Sequence, residues 1–351
     1  MKKIVKVLKE DNITCGYLYF YIHFVVEVVC FFFLSRISDS PIVWLVPFLY
    51  DAFAFVPQSI IGFISDKYPK IKMGIIGVIL LFLGIAIFSF INVTKYLPLF
   101  IICFGNCFLH ISGAENTLRN SKGKLAHSAI FVAGGSFGVI SGRLLAKTML
   151  PSWILLPFIL TMIPFIMYAD TFKENTDALN KFNYVKLSIS PLLIVFIAFL
   201  VVIIRGYMGY GIPTSWNKTV FQNVLLFVFM GIGKALGGIL SDAFGIRKVA
   251  IFSTLLAIPF LCFGDSIMII SLFGVMAFSM TMSITLGILV SVLRKTPGLA
   301  FGITTIGLFL GTAPIFFVKT PNILYNSIMI ACLSVLCSLL LGFVLKEEKH
   351  V

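Results

Sequence analysis

Apolar residues in this chain fall into long uninterrupted runs separated by short polar breaks. A helix crossing a bilayer needs roughly 20 apolar residues. Runs of about that length are read at 13–35, 41–65, 73–92, 97–118, 126–147, 150–169, 188–210, 219–241, 248–264, 266–292, 296–318 and 323–345. They predict an all-α membrane protein of twelve transmembrane helices with almost nothing left for loops. The first run follows Lys2, Lys3, Lys6 and Lys9, yet it is too long for a secretory leader and has no small-residue cleavage site after it. It is read as a retained helix. One polar connection is long, at 170–187 near the midpoint, and it divides the chain into an N-terminal six-helix bundle (1–169), a linker (170–187) and a C-terminal six-helix bundle (188–351).

The two halves carry a repeated polar break. After the second run stand Gly62, Asp66, Lys67, Pro69 and Lys70, and after the eighth stand Gly238, Asp242, Gly245, Arg247 and Lys248. Asp66 and Asp242 are 176 residues apart in a chain of 351, so the period is half the length and predicts two pseudo-symmetric bundles. A glycine in the last turn of a helix lets a neighbouring backbone come close. An aspartate one turn later can cap a helix start and face its positive end. Together they predict a latch that holds one conformation until the halves rock.

This pattern, Gly-x-Leu-x-Asp-(Arg/Lys)-x-Gly-(Arg/Lys)-(Arg/Lys), resembles the loop signature of the major facilitator superfamily between helices two and three and between helices eight and nine. The second copy fits at Gly238, Asp242, Gly245, Arg247 and Lys248, while the first has Pro69 in the second glycine position. A further stretch, His110 followed by Gly134, Gly135, Gly138 and Gly142, resembles the fosmidomycin-resistance branch of that superfamily. There a Phe-His-Pro-Glu run precedes a glycine-rich fifth helix; here Ile111 and Ser112 replace the Pro and Glu, and Arg143 replaces the fifth-helix proline. The resemblance implies alternating access and proton-coupled efflux of a small drug-like or anionic molecule. The alternatives are an importer of a sugar or organic acid, and a sensor or scaffold that keeps the fold.

Composition agrees with the pattern, with 59% hydrophobic and 12% charged residues. A net charge of +13 raises the question of nucleic acid, which the distribution of the charges excludes. Nineteen lysines and arginines fall on the side of both termini, among them Lys173 and Lys349, and five on the other: Arg36, Lys95, Lys147, Lys218 and Lys319. This asymmetry reads as a positive-inside bias, with both termini in the cytoplasm of a bacterial cell and the basic face against anionic lipid. The seven cysteines all lie in apolar runs and read as small buried hydrophobes.

The candidate chemistry is set by charges inside the spans. Counting helical rise, Glu27 lies about 21 Å from the inner end of the first span, near mid-membrane, and Asp51 in the second span at a comparable depth. Carboxylates there are expensive and mark proton or substrate pathways by default. Glu27 and Asp51 are therefore proton-coupling candidates; His110 joins them from the fourth span, as does Glu115, a substitute for the acid that Ser112 replaces in the resemblance, also placed to pair with Arg119 at i, i+4 near the cytoplasmic surface. His23, four residues before Glu27, joins Arg143, Arg205 and Lys234 as candidates for the substrate cavity. The two arginines, each about 25 Å from its inner end, are placed to clamp an anionic group from opposite halves. The stretch from Arg205 to Pro213, broken by glycines, suits backbone lining a cavity. His23 and Glu27 make at most half of a metal site, and no other His or Cys cluster in the sequence accompanies them, so no metal and no cofactor is expected. No motif of an intramembrane hydrolase or metalloprotease is present. The expected partners are a small-molecule substrate, protons and lipid, with the chain acting as a monomer.

Overall fold

The structure, a computed structural model, describes residues 2–10, 13–37, 44–172, 176–317 and 322–347. Of the residues in the charge pattern, Lys173, Lys319 and Lys349 lie outside them. Twelve helices long and apolar enough to cross a bilayer follow in chain order: α1 (Thr14–Ile37), α2 (Leu45–Lys67), α3 (Met73–Phe90), α4 (Tyr96–Arg119), α5 (Ala126–Ala146), α6 (Ser152–Ala169), α7 (Pro191–Gly211), α8 (Val220–Phe244), α9 (Ile246–Phe263), α10 (Met268–Val292), α11 (Pro297–Phe316) and α12 (Ile323–Val344). In hydrocarbon the backbone must satisfy its own polar groups, so each apolar run closes into a helix. Among the described residues there is no strand, only an isolated bridge between Val185 and Leu345.

Helix pairing repeats between the halves. In the first half α1 packs on α5 and α3 on α4; in the second α7 packs on α11 and α9 on α10. The halves meet along α5 with α8 and along α2 with α11, pairs that exchange under the same two-fold relation. Small residues set these distances. Gly134, Gly138 and Gly142 of α5 lie against the carbonyls of Phe20, Phe24 and Val28 of α1, where a Cβ has no room. Large apolar side chains such as Leu83 of α3, Phe252 of α9 and Leu339 of α12 are exposed on the outside of the bundle, as a lipid-facing surface requires.

The second span breaks at Val56 and Pro57. Proline has no N–H to give and crowds the preceding turn, so carbonyls one turn back lose their helical donors. Side chains supply them. The Cys107 thiol donates to Phe53 O at 3.3 Å and Ala54 O at 3.1 Å, Gln58 donates to Ala54 O at 2.6 Å, and the Thr305 hydroxyl of α11 donates to Phe55 O at 3.0 Å. The kink is thus held from α4 and from the opposite half.

At the end of the bundle rich in lysine and arginine, called here the basic face, two further elements cross between halves. The N-terminal helix Lys2–Glu10 buries Val7 in a cluster with Ile13, Ala126 and Ile130 of the first half and Ile239 of α8. The linker, polar by composition, is not a solvated tether. Ala178, Leu179, Phe182 and Val185 are buried, and the strap is tied by Tyr184 Oη to Gly123 O at 2.6 Å, Tyr184 N to Ser291 Oγ at 3.2 Å and Lys186 N to Val344 O at 3.0 Å. Its short helix Thr176–Asn180 packs against α4. Truncating a fully buried phenylalanine costs about 3–5 kcal/mol. Phe182→Ala is therefore expected to destabilise the protein by about that much in detergent thermal melts, whereas a free tether would leave the melt unchanged.

Candidate functional site

The basic face is shut by two equivalent contacts between halves. A helix begins with N–H groups that have no partner within it. Those of α11, which opens on Pro297, are met by Asp66 at the end of α2: Gly298 N donates to Oδ1 at 3.1 Å and Leu299 N to Oδ2 at 2.9 Å. The start of α5 is met in the same way by Asp242 at the end of α8, which accepts from Leu125 N at 2.9 Å and from Ala126 N at 2.8 Å. Each aspartate puts a negative charge at the positive end of a helix from the opposite half. The paired glycines make the approach possible: Gly62 lies against Gly298, and Gly238 against Leu125 and Ala129, with no space for a Cβ at either. The hairpins turn differently. Gly245 has φ 99°, a left-handed region that favours glycine, whereas the first copy turns at Tyr68 with φ −126° before Pro69.

Mid-membrane, α1 and α4 bring three ionisable side chains together. His23 Nε2 and His110 Nε2 are 2.8 Å apart, and Glu27 Oε1 is 3.6 Å from the first and 3.4 Å from the second. All three are buried. Nδ1 of His23 is 2.9 Å from Phe131 O, and Nδ1 of His110 is 3.0 Å from Asn106 O. Asn106 Nδ2 donates to Glu27 Oε1 at 3.3 Å and to Tyr50 Oη at 3.1 Å. Gly135 leaves the space that the His23 ring fills, and Gly138 lies against the stem of Glu27, so the fifth-helix glycines frame this cluster as well as packing the helix. The expectation that His23 and Glu27 lack a third ligand is overturned by His110, 87 residues from His23 in sequence and in contact with it here.

A cavity of about 570 Å³ opens mainly within the second half, from Phe301 and Thr305 near its floor to Thr214 and Ile315. Arg205 and Lys234 stand in its wall beside hydroxyls from Ser279, Ser283, Thr285 and Thr304. Arg205 donates to Phe278 O at 2.7 Å and lies over the Phe278 ring at 4.8 Å, while its buried Nε has no hydrogen-bond partner. Among the described residues no carboxylate forms an ion pair with Arg205 or Lys234. Lys234 is within electrostatic reach of both Glu27 and Arg205, which joins the ionisable cluster of one half to the cavity of the other.

Other sequence candidates fall elsewhere. Arg143 does not clamp with Arg205: it is exposed and stacks on Phe31 at 5.1 Å and on Phe227 of α8 at 5.4 Å, outside the cavity wall. Glu115 does not take Arg119 as its partner. Arg119 reaches Asp66 at 3.5 Å, and Glu115 accepts from the Ser65 hydroxyl at 2.5 Å with its other oxygen against Gly298, which places it in the first seal. Asp51 is half-buried on α2, within electrostatic reach of Glu27. Lys67 and Lys70 are exposed, as is Lys248, and Arg247 pairs with Glu347. Reading the sequence missed Asn106, Tyr50 and Phe301, which stacks against His110 at 6.4 Å from the opposite half. The signal for Asn106 was available: it is a lone amide in an apolar run, one turn before His110.

Comparison with models of protein families finds no match, and comparison with curated proteins finds none either. Solved structures do match over nearly the whole chain. A variant of the E. coli fucose:proton symporter FucP aligns with a TM-score of 0.70 at 16% identity, covering 96% of this chain and 99% of that one. XylE, as a double-tryptophan variant, gives 0.65 at 15% identity over 98% and 97%, and the human organic anion transporter MFSD10 gives 0.59 at 12% over 94% and 99%. The chain has the twelve-helix fold of major facilitator superfamily transporters.

The seals carry a direct expectation. Removing a capping aspartate costs about 1 kcal/mol, roughly a fivefold shift in an equilibrium. In a cysteine-free background carrying Ser241→Cys, a buried position beside the second seal, Asp242→Ala and Asp66→Ala should each raise maleimide labelling about fivefold. Labelling that stays at the parent rate in both would show that these bonds do not keep the basic face shut.

Proposed function

We propose that this chain is a secondary active transporter that takes up a small hydroxylated or anionic molecule, a sugar or organic acid, together with a proton. The observation that carries this reading is the second-half cavity, in which Arg205, with no ion-paired carboxylate among the described residues, and Lys234 stand among a few hydroxyls in a mainly apolar wall. An inward-turned arginine with no ion-paired carboxylate suits a ligand that brings acceptor oxygens of its own. The volume lies in the range of small-molecule sites. Support also comes from relatives in fold, one a fucose:proton symporter and another an organic anion transporter. Export, the direction implied by the fosmidomycin-resistance resemblance, rests on His110 and the α5 glycines alone, and those residues serve the cluster and the packing of α1.

In this reading the first half carries the coupling charge and the second half binds substrate. Glu27 and Asp51 take up the proton, with Lys234 transmitting their charge state to the cavity. The basic face lies in the cytoplasm with both termini, so the Asp66 and Asp242 seals close the inner side and the halves rock to open it. The residues 1–169 and 188–351 move as the two bundles, with 170–187 as their strap.

The test is uptake by purified protein in proteoliposomes, screened over sugars and organic acids with and without an inward proton gradient. A charge-assisted hydrogen bond is worth about 1.5–3 kcal/mol, so Arg205→Ala should weaken substrate binding roughly 10- to 150-fold. Glu27→Gln and Asp51→Asn should each abolish gradient-driven accumulation while substrate counterflow continues. Accumulation against a gradient in both carboxyl variants would remove the coupling assignment, and a gradient that drives only efflux would reverse the direction.

A further inference from the structure

The cluster between α1 and α4 presents acceptors that its members cannot satisfy among themselves. Phe131 O and Asn106 O are carbonyl oxygens and only accept, so the Nδ1 that faces each of them carries its ring's proton. Each neutral imidazole then offers an Nε2 lone pair. Those two lone pairs point at one another across 2.8 Å, with a Glu27 carboxylate oxygen 3.6 and 3.4 Å away. Three converging acceptors in a buried site call for a positive charge between them.

The spacing fits an ion. From the three separations, the point equidistant from the two nitrogens and the oxygen lies about 1.9 Å from each. An ion about 0.7 Å out of their plane has bonds of about 2.0–2.1 Å, the lengths found for zinc with imidazole and carboxylate, in the pyramidal arrangement of a tetrahedral site with one position open. The Nδ1–H to carbonyl bond on each ring is the support that orients metal-bound histidine. The Asn106 amide nitrogen, on a fully buried side chain one turn before His110, donates to the same Glu27 oxygen at 3.3 Å and holds it toward the two rings.

We propose that His23, Glu27 and His110 bind one divalent transition-metal ion of the zinc class. Two imidazoles and one carboxylate suit Zn²⁺, Co²⁺ or Ni²⁺ and not Mg²⁺ or Ca²⁺, which favour oxygen ligands. Phe131 lies against His23 at 4.9 Å and Phe301 against His110, and because Phe301 belongs to α11 the ion is covered by a side chain of the opposite half while the basic face is shut. This inference does not rest on the transport reading; where the ion occupies Glu27, Asp51 is the carboxyl left to take up the coupling proton.

The test uses chelator-stripped full-length protein in detergent, titrated with Co²⁺ followed by visible absorption and with Zn²⁺ by calorimetry. One ion per chain with the intense visible bands of four-coordinate Co²⁺ is expected. Zn²⁺ should raise the melting temperature of the unaltered protein where Mg²⁺ does not, a measurement that needs no variant. His110→Gln and Glu27→Gln should each weaken binding by more than the roughly 10–100-fold that loss of a supporting contact costs, and Cys332→Ser, at an exposed cysteine, should leave it unchanged. The proposal is overturned by the absence of a stoichiometric four-coordinate Co²⁺ spectrum, or by a spectrum that persists in folded His110→Gln. A proton shared by the two rings would give the first of these results. Because the readout is binding in micelles, its failure leaves the transport reading standing, and a failure of uptake leaves the ion site standing.

Discussion

Within a bilayer no solvent is available to a polar group, and nearly every unusual feature of this protein is an answer to that constraint. Where Pro57 strips donors from α2, a thiol, an amide and a hydroxyl from three places supply them. Where α5 and α11 begin with unbonded N–H groups, aspartates from the opposite half accept them. Where two histidines and a glutamate enter the first half, backbone carbonyls and Asn106 fix their orientation. The same rule that makes the spans helical therefore decides where they stop, where they break and which half each end must touch.

The two halves share a plan and divide the work. Packing pairs and seals repeat under one two-fold relation. Among the described residues the ionisable cluster lies in the first half, where the glycines of α5 leave room for it, and the large cavity, mainly apolar with hydroxyls in its wall, lies mainly in the second. Lys234 stands between them electrically.

Much of the fold was legible because hydrophobic run length and the repeated hairpin are local in sequence. Asp66 and Asp242 announced helix capping by residue type and position. Their partners did not, because Leu299 and Ala126 contribute only backbone, and backbone leaves no mark in composition. The meeting of His23 with His110 depends on the relative height and rotation of α1 and α4, which the spacing along one helix cannot give. Glu115 shows the limit of local pairing rules: its i, i+4 neighbour Arg119 finds the deeper carboxylate of Asp66 across a helix contact. Arg143 and Arg205 match in depth but differ in azimuth, so one stacks on rings at the bundle edge and the other turns inward. The linker was misleading for a related reason. Its charges are real, but Ala178, Leu179, Phe182 and Val185 fall on one side of it and are covered.

That strap also binds the two halves at the basic face. Its leading portion rests on α4 and touches α10, while Val185 and Lys186 are joined to the close of α12 and Tyr184 to the close of α10. Between them stands Asn183, uncovered and without bulk to anchor it. The segment therefore ties the two halves to each other on both sides of Asn183, with the Tyr184 phenol reaching back to Gly123 of the first half at 2.6 Å.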